Sequence, residues 1–398
     1  MRQRHNSMTN GFADSELPRN FQFRLYRSDR RSSCGELSKG HTMAVQWNGG
    51  MRAWTGRVSP IAVAAIAVIL SQEPSRADEG GVSFWLPGQF GSLAAVPAQP
   101  GWAFASVGYF PTVSASGAVA AARQITLGRF NPTVNVDLNA TLHARVPSNF
   151  LNANYVFATP VLGGQLAMGM TGAFGRPDVS IDGTLTASVG GITSTRFGSI
   201  EDSRMALADL YPMMSLRWNH GVHNFMIYGT GDIPVGTYDS SRLANLGIGH
   251  GAADGGVGYT YFNPATGHEF SAVTGVTYNF KNTQTDYQNG IDWHLDWGAS
   301  QFLSKQMFIG AVGYFYQQLT ADRGQSPILG DFKSRVIGVG PQVGFIFPVN
   351  DMQGYLNLKG YYEFAAENRP EGWNAWVTFA ISPAAAAHEP AKPMLIRK

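Results

Sequence analysis

Residues 291–298 read IDWHLDWG, so that Ile291, Trp293, Leu295 and Trp297 alternate with Asp292, His294, Asp296 and Gly298. A period of two is the signature of a β-strand, whose successive side chains point to opposite faces; on a helix the same residues would scatter around the axis. One face here is bulky and apolar and the other is charged or small. Such a strand separates an apolar medium from a polar one.

The pattern spreads outward from this segment. From 355 to 364, Tyr355, Asn357, Lys359, Tyr361 and Glu363 oppose Leu356, Leu358, Gly360, Tyr362 and Phe364. From 373 to 381, Trp373, Ala375, Val377, Phe379 and Ile381 oppose Asn374, Trp376, Thr378 and Ala380, and from 335 to 347 the inner set is mostly small. From 135 to 145, Asn135, Asp137, Asn139, Thr141, His143 and Arg145 alternate with Val136, Leu138, Ala140, Leu142 and Ala144; with polar residues placed inside, Asp137, His143 and Arg145 are expected to face the lumen.

About twelve strands are predicted: 102–115, 134–158, 165–179, 208–219, 222–237, 255–262, 268–280, 289–300, 306–319, 334–347, 354–364 and 373–381. Brief connections near 162–164, 219–221, 263–267, 305 and 350–351 alternate with longer ones at 116–133, 182–207, 238–254, 281–288, 320–333 and 365–372. Short turns on one side and long loops on the other are expected of an all-β, antiparallel, up-and-down transmembrane barrel in a bacterial outer membrane, with both ends of residues 102–381 periplasmic. A secreted β-sandwich would alternate too. Aromatic residues at strand ends (Trp218, Phe270, Phe280, Trp297, Phe308, Phe347, Phe364 and Trp373) favour the barrel, because they suit interfacial girdles.

Val58 to Leu70 is the one strongly apolar run, too short for a helix crossing about 30 Å of hydrocarbon. Arg52 and Arg57 precede it and Ser75-Arg76-Ala77 follows, so residues 51–77 read as a signal peptide cleaved before Asp78. Residues 1–50 read as a non-periodic extension from an over-long gene start. Before Asp78 the chain has 11 Lys+Arg against 5 Asp+Glu; from Asp78 on it has 18 against 22, which leaves no basic footprint for nucleic acid. Cys34 is the only cysteine, so the exported part has no disulfide and no lipoprotein anchor.

VSFWLPGQFGSLAAVPAQPG at Val82 to Gly101, Gly163-Gly164 after Tyr155-Val156-Phe157, NFKNTQTDYQNG at Asn279 to Gly290, Gln317 through Asp322 to Gly324, and Gly338-Val339-Gly340-Pro341 occur in that order. In this order they resemble the family named for the phenol-degradation meta-pathway, outer-membrane transporter-like proteins. The resemblance implies a channel for hydrophobic or aromatic compounds, with residues 78–101 packed in the barrel mouth as a plug or hatch. Leu86-Pro87-Gly88 has the turn chemistry of a compact plug, although a disordered periplasmic leader has similar composition. Residues 382–398 read as a flexible tail, which places the aromatic insertion signal at Phe379 inside the chain.

For function, a lumen with Arg145, Arg217 and Lys359 against Asp137, Asp292 and Asp296, and with Tyr355, Tyr361 and Trp376 as aromatic surface, suits passive passage of solutes. Asp292, His294 and Asp296 share a face about 7 Å apart in succession, a spacing a metal could use, though solvated lumen lining is the more ordinary role. No G-x-S-x-G elbow and no phosphate-binding loop occurs, so neither catalysis nor a cofactor is expected. The leading expectation is a passive uptake channel for small hydrophobic or aromatic solutes; alternatives are a general diffusion porin or structural barrel, and an outer-membrane hydrolase. Expected partners are outer-membrane lipid, the solute and the barrel-insertion machinery, with the oligomeric state open.

Overall fold

A computed structural model describes residues 83–116, 135–189, 192–324 and 333–384; of these, the side chains at 135–140, 185–189, 192–194 and 196 are outside the description. The expected extension, signal peptide and most of the tail lie outside the described residues. The strands are β1 (Gly101–Ser116), β2 (Asn135–Arg145), β3 (Ser148–Val156), β4 (Gln165–Gly175), β5 (Asp178–Val189), β6 (Ile192–Ser203), β7 (Ala206–His220) and β8 (His223–Asp232). They continue with β9 (Ala252–Asn263), β10 (His268–Asn279), β11 (Asp292–Phe302), β12 (Met307–Gln318), β13 (Arg335–Val349), β14 (Met352–Glu367) and β15 (Glu371–Pro383).

All pairings are antiparallel, and β15 pairs with β1 from Phe104↔Ile381 to Ser114↔Glu371. Following the pairings from β1 through β3, β4 and β7, then in order from β8 to β15, closes a barrel of 12 strands. Closure leaves no unpaired edge around that ring, which backbone in hydrocarbon requires. Strand period gives each face one chemistry. On β11 Asp292, His294, Asp296, Gly298 and Ser300 are buried in the lumen while Trp293, Leu295 and Trp297 face out. Trp102, Phe104, Leu151, Met170, Phe225, Ile227, Val257, Ile309 and Phe379 are exposed on the outside, an apolar belt that water would not tolerate and lipid does. The protein is therefore a membrane-spanning β-barrel of the even-stranded kind that bacterial outer membranes hold.

Tight connections gather at the end where β1 begins and β15 stops. Gly221 (φ 67°) turns β7 into β8 at His220↔His223, and Gly267 (φ 75°) turns β9 into β10. At the opposite end the loops are stapled together. Asn282 bridges Tyr287, Gln288 bridges Arg323, and Asp322 accepts from the Gly290 N–H at 2.8 Å and from the Tyr287 hydroxyl. The motifs at 279–290 and 317–324 are thus one folded unit above the β10–β12 strands.

The remaining strands correct the expected loop map. Residues 182–207, expected as a loop, instead extend β5 and form β6, paired from Asp178↔Ser203 to Val189↔Ile192. β2 pairs with the end of β1 at Thr112↔Arg145 and with β5 along its length. Each of β2, β5 and β6 prolongs a barrel strand past Val146-Pro147, Arg176-Pro177 or Arg204-Met205, so one side of the barrel rises as a wall above the membrane. Phe308, expected in an interfacial girdle, is fully buried inside, where Gly344 opposite it leaves room: a Cβ there would lie 2.0 Å from the Phe308 ring.

Candidate functional site

The lumen is occupied by the chain's own residues 83–101, which run back from the start of β1 toward the loop end. Asp296 accepts the Gly88 N–H at 3.0 Å and the Phe90 N–H at 3.1 Å, and Lys359 Nζ donates to the carbonyls of Gly88 (2.6 Å), Gln89 (3.2 Å) and Phe90 (3.3 Å). Glu269 accepts the Leu93 N–H, Thr260 Oγ1 the Ala95 N–H, and Gln165 binds both the N–H and carbonyl of Ala98. A backbone without secondary structure must find partners when buried, and here the wall's polar side chains supply them. Gly88 adopts φ 90° and sits so close to Tyr361 that a Cβ would meet its ring at 3.0 Å. Trp85 stacks on His294 with ring centroids 3.6 Å apart, and His294 Nε2 lies 2.9 Å from Asp254.

The expected pathway residues fall into three groups. Asp292, His294, Asp296, Lys359, Tyr361 and Trp376 face inward but are buried, and Leu86, Pro87 and Gly88 lie among them; Tyr355 also faces inward and is partly buried. Their chemistry is committed: Asp292 accepts from Asn279 at 2.8 Å, and Trp376 donates to Asn374 at 2.9 Å. Arg217 lies at the turn end, bonded to Ser215 Oγ at 2.9 Å, beside a cavity bordered by Pro97, Gln165 and Trp218. His143 and Arg145, expected inside, are exposed outside. Leu142 and Ala144 take the inner positions, because above the membrane water bathes the outer face and the apolar residues turn inward. The Asp137 side chain is outside the described residues.

The open space lies above the segment, within the loop half of the lumen and the wall. It is a cavity of about 490 Å³, floored by Phe84, Trp85, Leu86 and Phe90, and walled by Tyr109, Pro111 and Val113 of β1, Leu142 and Ala144 of β2, Phe150 of β3, and Tyr211 and Met213 of β7. Its volume and dominantly apolar, aromatic lining are those of a small-molecule site. Residues 233–251 close one side. Asp209 accepts the N–H groups of Gly236 (2.7 Å) and Ile248 (2.8 Å), and Arg204 reaches the Ala244 carbonyl (2.9 Å) and Asn245 (2.6 Å). Asp202 accepts the N–H groups of Leu243 and Ala244 and pairs with Arg242, which holds its carboxyl below the usual range.

The floor lies in the motif at 82–101 that the sequence offered, but none of the wall residues stood out, since apolar residues facing inward look like residues facing lipid. The segment Ala206 to Met214, apolar on both faces with Asp209 within it, carried the one usable signal.

The model of the family described as Putative MetA-pathway of phenol degradation matches residues 113–379. The chain belongs to this family. No curated protein matches it in sequence. Among solved structures, an outer membrane channel from Pseudomonas putida F1 is similar with a TM-score of 0.50 at 12% identity, over 75% of this chain and 100% of that one. A FadL homologue from Pseudomonas aeruginosa matches with a TM-score of 0.34 at 9% identity, over 77% of this chain and 97% of that one. The family member described here shares the barrel fold with the first of these.

Proposed function

We propose that this barrel is a passive channel through which small hydrophobic or aromatic compounds enter the cell, with residues 83–101 as the gate. The observation that carries the reading is the stacking of two layers in one lumen: an apolar cavity of about 490 Å³ rests directly on a segment whose backbone fills the space below it. A solute captured from outside meets Phe84, Trp85 and Phe90, and it passes only when the segment leaves its partners on Asp296, Lys359 and Glu269. Expected-pathway residues therefore act as the gate's latches, and apolar residues act as the solute's seat. Membership in a family named for phenol degradation, and a fold shared with an outer membrane channel, support the same reading.

A tether tests it. Ser92 Oγ and Ser300 Oγ are 2.7 Å apart, and the sequence after Cys34 has no cysteine, so Ser92→Cys with Ser300→Cys creates one defined pair. In liposomes the oxidised pair is expected to abolish uptake of phenol and reduction to restore it. Equal uptake in both states defeats the gate. Equal uptake of sugars and aromatic compounds by the unmodified protein supports instead a general diffusion porin.

A further inference from the structure

The cavity's charged groups are unequally used, and that inequality points to a class of solute. Arg242 is paired with Asp202. Glu363 is saturated: its Oε1 accepts from the Tyr314 hydroxyl at 2.7 Å and from Asn374 at 3.4 Å, and its Oε2 accepts the Gly372 N–H at 3.0 Å. Arg369, in the connection between β14 and β15, borders the same cavity with its guanidinium 4.8 Å from the centre of the Tyr316 ring. Its Nε is buried and has no hydrogen-bond partner among the described residues. A guanidinium held over an aromatic face by cation–π attraction keeps its N–H donors for another partner, and those donors match a carboxylate's two oxygens. A buried N–H left unpaired is costly, so the site favours a ligand that supplies an acceptor.

We infer that the cavity takes an aromatic or apolar carboxylate, with Arg369 holding the carboxylate and the aromatic floor and walls holding the body. This rests on the cavity being the solute's seat.

The test compares 3-phenylpropanoate with its neutral amide, 3-phenylpropanamide, titrated calorimetrically into the full-length protein in detergent. The unmodified barrel is expected to bind the acid about tenfold more tightly, the range of one charge-assisted hydrogen-bonded pair. Arg369→Gln is expected to bring the ratio near one, and Arg369→Lys, which keeps the charge but not the fork, to leave an intermediate ratio. Heat-modifiable gel migration confirms that each variant is a closed barrel. Equal binding of acid and amide by the unmodified protein, or an acid preference that survives in Arg369→Gln, overturns the inference and leaves the cavity reading standing. Binding of neither compound overturns both.

Discussion

The barrel and the wall above it are built from the same strands in the same parity, yet their outer faces are opposite in character. Along β4 and β5 the outward positions are Met168, Met170 and Phe174 and then Arg176, Asp178 and Asp182. Along β2 and β3, read downward, they are His143 and Arg145 and then Leu151 and Tyr155. The inner face changes in the reverse sense, from Leu142, Val179 and Ile181 in the wall to Asn152 and Gln165 below. The backbone does not mark the change of solvent; the side chains do. The switch falls near Pro147 and Pro177, where the chain leaves the lipid.

The largest test of this boundary places the same charge on both sides of it. Met170 is 40% exposed on the lipid face, and Met170→Arg is expected to cost about 2–4 kcal/mol of folding stability in the bilayer, because an arginine there loses its water. Ser180→Arg, an outward position in the wall, is expected to change stability by less than about 0.5 kcal/mol, since that face already meets water. Urea titrations of the protein folded into vesicles measure both. Similar costs at the two positions would place the wall inside the membrane.

This contrast explains what could be read from the chain. Strand positions were legible because lipid outside and a packed lumen inside impose a period of two on every crossing; the twelve predicted spans correspond to the 12 strands of the ring. The sign of the pattern was not. Leu142-His143-Ala144-Arg145 alternates equally well with either face inward, and only knowing that β2 stands above the lipid decides between them. The latches were half legible: Asp296 and Lys359 were recognisable as inward charges, but their partner Gly88 lies 208 residues from Asp296 in the chain, and no local pattern reports such a contact. Arg369 lay in the expected connection 365–372 with nothing local to distinguish it.

A smaller effect probes the wall's interior. Leu142 is 1% exposed and packs with Val179 and Ile181 in a cluster separate from the main core, against Leu243 of the covering loop. Leu142→Ala removes buried methyl groups and leaves a cavity, for an expected loss of about 2 kcal/mol. The loss should be local: hydrogen exchange is expected to quicken in β2, β5 and 238–248 while β10 to β13 stay protected. Equal loosening of all these strands would mean that wall and barrel unfold as one unit.

The smallest effect separates the loop from the wall by pH. Arg242 donates to Asp202 and lowers its pKa, so the folded carboxyl releases its proton more readily than the unfolded one. The resulting stabilisation is fully present above the unfolded value, about pH 4, and is lost as pH falls through the lower folded value. The Asp202 anchor at Leu243 and Ala244 is therefore expected to hold at pH 5 and to release, read as protease cleavage beside these two residues, only below about pH 4. Asp202→Asn should make this stretch sensitive across the whole range, because the one carboxylate oxygen that accepts both the Leu243 and Ala244 N–H groups would be the amide's only acceptor, and the other, which serves Arg242, would become an uncharged NH2 facing the guanidinium. The barrel's latches on Asp296 lie below the wall and do not share this carboxylate, so phenol uptake through a loosened loop would show that capture and gating are separate steps.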